Sequence, residues 1–141
     1  MKVFLDTNVL VSAFAARGLC ADLMRLLLAE HEVCTGEVNL IELRRVLAER
    51  LRADPEPIAQ VERLLRAQCI VPTPSVVLAI EVRDPDDAWV LATAAVSGAA
   101  LLVTGDKDLL VLGANASLPI VTPREAWVRL RGDAGAGDNS P

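Results

Sequence analysis

Asp6, Glu42, Asp87 and Asp106 are the side chains of this sequence best placed to do chemistry, because each stands at or beside an apolar pattern rather than in a solvated stretch. Asp6 ends the run Val3-Phe4-Leu5 and leads into Thr7-Asn8. Asp106 follows Leu101-Leu102-Val103-Thr104-Gly105, with Asp108 two residues further on. Glu42 falls on a predicted helix in one stripe with Val38 and Val46, at the edge of the apolar arc. Asp87 shares a stripe with Leu91 and Ala94, so it turns inward where Asp86 turns out. An unpaired charge on such a face is very costly. Several carboxylates that meet in one volume cannot all stay ionised without a cation. Oxygen ligands without His or Cys select Mg²⁺ or Mn²⁺. A site of that kind suits phosphodiester hydrolysis, in which the metal polarises the phosphate and lowers the pKa of an attacking water, and no protein nucleophile is needed.

Each acid also has a plainer reading. Asp6 can serve as the N-cap of the helix that follows it. Glu42 can pair with Arg45, one turn away. If Asp84 caps a helix whose first residue is Pro85, Asp87 is the third residue, where the helix dipole favours a carboxylate. The crowding of Asp84, Asp86 and Asp87 leaves open which of them would be the ligand. Asp106 and Asp108 around Gly105 can make a simple turn. No single acid is specific, so the case rests on the set.

The elements that must position them follow from periodicity. Strands are expected at Lys2–Leu5, Glu32–Thr35, Cys69–Val71, Ala100–Val103 and Pro119–Val121. Helices are expected from Asn8 to Arg17, Leu19 to Glu30 after a break at Gly18, Glu37 to Arg52, Pro55 to Gln68, Asp84-Pro85 to Val96, and Pro123 to Arg131. Near-continuous apolar strands alternating with helices indicate a parallel sheet covered on both faces. Ligands in such sheets bind outside the carboxyl ends of the strands, where Asp6 and Asp106 fall. Residues 1–131 read as one domain, and Gly132–Pro141, rich in Gly, Asp, Asn and Ser, as a disordered tail.

Composition narrows the class. A chain of 141 residues that is 52% apolar and 23% charged is expected to fold as one globular domain. No apolar run is long enough to span a bilayer. Asp6 interrupts any signal-peptide core, so a cytoplasmic protein is expected. Cys20, Cys34 and Cys69 are widely spaced and fit reduced thiols better than a disulfide frame. His31 is the only histidine, which argues against a zinc site. The net charge of −5 argues against tight non-specific nucleic-acid binding. Arg44, Arg45, Arg50, Arg52, Arg63 and Arg66 nevertheless gather locally as candidate phosphate contacts.

With these residues in view, the sequence resembles the PIN-domain family, and within it the VapC-like toxins of bacterial toxin–antitoxin modules. The matching segments are Val3-Phe4-Leu5-Asp6-Thr7-Asn8-Val9-Leu10, Glu42-Leu43 with Val46-Leu47, Asp84-Pro85-Asp86-Asp87 followed by Ala92, and Val103-Thr104-Gly105-Asp106-Lys107-Asp108-Leu109-Leu110. The resemblance implies a three-layer α/β/α sandwich with a mainly parallel sheet and a Mg²⁺/Mn²⁺-dependent endoribonuclease. It implies metal ligands at Asp6, Glu42, Asp87 and Asp106, with Asp108 as a variable fifth, and supporting polar positions at Thr7, Asn8 and Thr104. It also implies an RNA substrate, an antitoxin partner and a homodimer. Aromatic residues are scarce (Phe4, Phe14, Trp89, Trp127), so base stacking has few candidates.

Two other classes compete. A phosphatase with Asp6 as nucleophile would want a second acid two residues later to protonate the leaving group, and that position is Asn8. A catalytically silent PIN-like module that binds RNA or a protein partner would not need the full acid set.

Overall fold

The computed structural model describes residues 1–73, 85–113, 116 and 118–138. Within them the chain runs β1 (Lys2–Leu5), α1 (Thr7–Ala15), α2 (Leu19–Glu30), β2 (Glu32–Gly36), α3 (Glu37–Glu49), α4 (Pro55–Arg66), β3 (Cys69–Val71), α5 (Pro85–Val96), β4 (Leu101–Val103), α6 (Lys107–Leu110), β5 (Ile120–Val121) and α7 (Pro123–Asp138). The strands form one sheet in the order β3-β2-β1-β4-β5, and every pairing is parallel. Because β1 lies at the centre, between β2 and β4, the turn after it faces the turns after both neighbours.

Side chains alternate across a strand, and this splits the core in two. Val3, Leu5, Val33, Leu101, Val103 and Val121 point to one face, where they pack with α1, α2, α3, Leu65 of α4 and Leu130 of α7. Phe4, Cys34, Val71, Leu102 and Ile120 point to the other, against Val90, Leu91 and Ala94 of α5 and Leu109 of α6. The result is the expected three-layer α/β/α sandwich. The strands are apolar on both sides because both sides are covered. Among the described residues no helix is long and apolar enough to cross a membrane.

Two elements depart from the sequence reading. The one-turn helix α6 was not expected; Asp106 caps it, its Oδ1 accepting from the Asp108 amide at 2.9 Å. Residues that read as a turn are thus the start of a helix, a distinction that periodicity cannot make over four residues. Helix α7 runs past its expected end at Arg131 to Asp138. Each glycine in a helix costs about 1 kcal/mol relative to Ala, but extending an existing helix is far easier than starting one. Gly132 therefore does not stop it. The capping role expected of Asp84 lies outside the described residues.

Gly36 closes β2 and opens α3 where α5 packs closely against the strand end. A Cβ there would meet Thr93 Cγ2 of α5 at 2.6 Å and Asn39 Oδ1 at 2.9 Å. Gly36→Ala should therefore cost about 1–3 kcal/mol, the usual penalty of overpacking, measured by urea unfolding. Thr93→Ser in the same chain, which removes the nearer atom, should recover part of the loss. Full stability of the single variant would show that the helix gives way freely.

Candidate metal centre

Asp6 leaves the end of β1 with its amide bonded to the Val103 carbonyl of β4 at 3.0 Å, which carries its side chain into the carboxyl edge of the sheet. The residue is 5% exposed. Its Oδ1 accepts from the Thr7 amide at 2.8 Å and from Asn39 Nδ2 at 3.2 Å. Its Oδ2 accepts from Asn8 Nδ2 at 3.1 Å and from the Thr104 hydroxyl at 2.7 Å. Asp6 does cap α1, as its plainer reading has it, but capping accounts for only one of the four donors.

The partners are themselves tied together. Asn8 Oδ1 takes the Gly105 amide at 2.9 Å, and Thr104 Oγ1 takes the Asp106 amide at 3.0 Å. Asn39 Nδ2 also donates to Thr7 Oγ1 at 3.0 Å, while its Oδ1 accepts from the Gly36 amide at 3.2 Å. The expected supporting residues Thr7, Asn8 and Thr104 are thus all in contact with Asp6 or its neighbours. Asn39 was missed. Its signal was a polar residue among Leu40, Leu43 and Leu47 on the buried side of α3, three positions before Glu42; it is fully buried, and a buried amide requires partners.

Despite its donors, Asp6 has its pKa raised above the ordinary carboxylate value. Burial is the dominant cause, Asp106 adds repulsion, and the bonds from Thr104, Thr7 and Asn8 oppose both.

A second group of acids meets beside this network. Asp87 of α5, Asp106 at the cap of α6 and Asp108 in its first turn each present one carboxylate oxygen, and these oxygens lie within 4.8 Å of one another. Asp87 is buried and the other two are half-buried. Of the three acids around the start of α5, Asp87 is in this group; Asp84 and the side chain of Asp86 lie outside the described residues. Asp6 and Glu42 do not join it. Glu42 instead lines a neighbouring groove of about 200 Å³ with Val38, Ile41 and Arg45 of α3 and Trp89 and Val90 of α5. Oxygens at this spacing from a wholly carboxylate donor set suit a hard divalent cation. By that chemistry Asp87, Asp106 and Asp108 are the residues that could hold a divalent metal.

A cleft of about 400 Å³ opens at Asp106, which lines it together with Asn8, Ser12, Cys20, Gly105 and Pro123. The arginines on α3 and α4 are less available than their number suggested. Arg66 bonds Glu37 and Glu62, Arg44 pairs with Glu62, and Arg63 pairs with Glu56. Trp127 is covered by the Arg131 guanidinium, 5.4 Å from its ring centre, and Trp89 lines the groove with Glu42.

Over residues 2–108 the sequence matches the PIN domain family. The chain belongs to that family. Its members are generally nucleases that use divalent metals. No curated protein matches the sequence significantly. Among solved structures, the fold is similar to PAE2754 from Pyrobaculum aerophilum (TM-score 0.65, 20% identity, 94% of this chain and 90% of that one). It is also similar to FitAcB from Neisseria gonorrhoeae (TM-score 0.62, 18% identity, 86% and 98%). A third similar structure is VapBC2 from Rickettsia felis, which is bound to a DNA fragment from its promoter (TM-score 0.59, 14% identity, 86% and 98%). At these identities the likeness is one of fold.

Thr104→Val keeps the side-chain shape and removes the hydroxyl that donates to Asp6. In metal-free protein at neutral pH this should cost about 2–3 kcal/mol, the scale of a buried bond to a charged group. The bond favours ionised Asp6, so the penalty should be full above that group's raised pKa and shrink as pH falls through it. Urea unfolding of parent and variant across that range measures both. A penalty independent of pH would mean that the hydroxyl acts through its other contacts, such as the Asp106 amide, and not through the Asp6 charge.

Proposed function

We propose that this PIN-domain protein is a Mg²⁺- or Mn²⁺-dependent endoribonuclease that hydrolyses RNA phosphodiester bonds, and that it is the toxin of a toxin–antitoxin pair. The observation that carries the reading is the convergence of Asp87, Asp106 and Asp108 at the carboxyl edge of the sheet, beside buried Asp6 and an open cleft. Asp87, Asp106 and Asp108 would hold the metal, with Asp6 completing the site from its network. A bound divalent metal would polarise the scissile phosphate and lower the pKa of the attacking water.

The chain's own residues divide the remaining work. Asp6, held by four donors, supplies fixed negative charge at the floor of the site. Asn8 and Thr104 fix the loop that carries Asp106. Glu42, on the wall between α3 and α5, orients the attacking water from outside the three clustered acids. The cleft lined by Asn8, Ser12 and Gly105 receives the strand beside the scissile bond. Exposed Arg45, Arg50 and Arg52 contact its phosphates.

The toxin assignment draws support from the VapBC2 and FitAcB likeness, and brings with it an antitoxin partner, a homodimer and a cytoplasmic site of action. The rival reading, a catalytically silent module that binds RNA or protein, takes its support from Asp6 and Glu42 standing apart from the three clustered acids.

Calorimetric titration of Mn²⁺ separates the two. The parent should bind, and Asp106→Asn and Asp87→Asn should not, while all remain folded. Cleavage of single-stranded RNA should require the metal. In these variants and in Asp6→Asn it should fall by more than the roughly 10- to 100-fold typical of losing an outer partner. Undiminished cleavage in Asp6→Asn would remove that residue from the site. Metal binding without turnover on any RNA would favour the silent module.

A further inference from the structure

Away from the acids, the sheet holds two thiols face to face. Cys34 of β2 and Cys69 of β3 are direct partners in the parallel register, and the Cys34 thiol donates toward Cys69 Sγ at 3.4 Å. Both are free. Neighbouring strands lie about 4.8 Å apart, inside the roughly 4.4–6.8 Å between Cα atoms that a disulfide accepts. The sulfurs stand about 1.4 Å beyond the bond length of roughly 2.05 Å. Small side-chain rotations cover that gap, and the backbone need not move.

The two thiols are not equivalent. Cys34 is fully buried, while Cys69 is half-buried on β3, the edge strand of the sheet. Burial and the neighbouring thiol push Cys34 up to about 12, with Lys2 and Ser97 opposing only in part. A reagent from solvent therefore meets Cys69 first, and Cys34 is placed to react second.

We propose that Cys34 and Cys69 form a dithiol modification site that hydroperoxides convert to an intramolecular disulfide. The Cys69 sulfur attacks one peroxide oxygen, the O–O bond breaks, and Cys69 becomes a sulfenic acid; the departing oxygen leaves as an alcohol, or as water from hydrogen peroxide, carrying the Cys69 proton. The Cys34 sulfur then attacks the sulfenic sulfur, forming the S–S bond and releasing water that carries the Cys34 proton. In sum, two thiols give up two electrons to one hydroperoxide. The bridge ties the edge strand to the sheet and closes the loop that contains α3 and α4, which restricts the unfolded chain. The proposal does not rest on the nuclease reading.

Hydrogen peroxide added to the full-length reduced protein tests it, with thiols counted after unfolding. The parent should fall from three titratable thiols to one, and Cys20→Ser from two to none. Peptide mapping should join Cys34 to Cys69 within one chain, and dithiothreitol should reverse the change. The oxidised protein should melt about 5–10 °C higher than the reduced one. In Cys69→Ser, and separately in Cys34→Ala, no intramolecular bridge should form. Persistence of both thiols in Cys20→Ser would overturn the proposal, as would over-oxidation of Cys69 with Cys34 intact, or a bridge between chains.

Discussion

Burying the Asp6 carboxylate is the constraint around which the carboxyl edge of this sheet is arranged. A charge removed from water must be repaid by fixed dipoles, and here four donors come from three separated parts of the chain: Thr7 and Asn8 at the start of α1, Asn39 on α3, and Thr104 after β4. Asn39 and Thr104 could not both reach Asp6 unless β1 lay between β2 and β4. The strand order and the polar network therefore require each other. The same donors tie down the Gly36 and Gly105 amides, so the turns that launch α3 and α6 are set by the network around one carboxylate.

The neighbouring acids are organised on the opposite principle. Asp6 is surrounded by donors, whereas Asp87, Asp106 and Asp108 face one another. Like charges at that separation raise the energy of the folded chain unless something cationic or a proton intervenes. Helix ends ease part of the repulsion, since Asp106 caps α6 and Asp108 lies in its first turn, where the dipole favours negative charge. Asp6 thus gains rigidity from its donors, and in the function proposed here the three clustered acids supply the affinity for a cation.

Much of this was legible from residue order. The apolar runs ending in Asp6 and Thr104 located two strand ends, and the parallel-sheet rule located the site beyond them. The inward stripe of α5 placed Asp87 on the buried face, where it lies, and that of α3 marked Glu42 as bordering the core. What escaped were features decided by partners distant in sequence. Asn39 looks unremarkable on a helix until the turn after β1 lies beneath it. Arg44, Arg63 and Arg66 read as phosphate contacts, but Arg44 meets Glu62 and Arg66 meets Glu37 across α3 and α4, and Arg63 meets Glu56 within α4. Helix α6 was hidden for the contrary reason: it is too short for periodicity, and only its cap distinguishes it from a turn. Glu42 had the right stripe, yet a stripe gives direction around a helix and not distance, and it opens onto the groove with Trp89 rather than onto the three clustered acids.

The pairing of those arginines bears on the net charge of −5. Had the six been free, a local basic field could have offset the acidic balance and held a polyanion at long range. With three of them committed to neighbouring carboxylates, the field over α3 and α4 is largely neutral, and few counterions would be released from a bound strand. Affinity dominated by phosphate contacts falls steeply with salt because it depends on that release. For a strand bound as proposed, attraction must instead come from close range: cation-bridged contact at the acids, Arg45 beside Glu42, and the walls of the cleft next to Asp106. Selectivity then falls to the shape of the cleft and groove, since a weak general field leaves little to hold a strand that does not fit them.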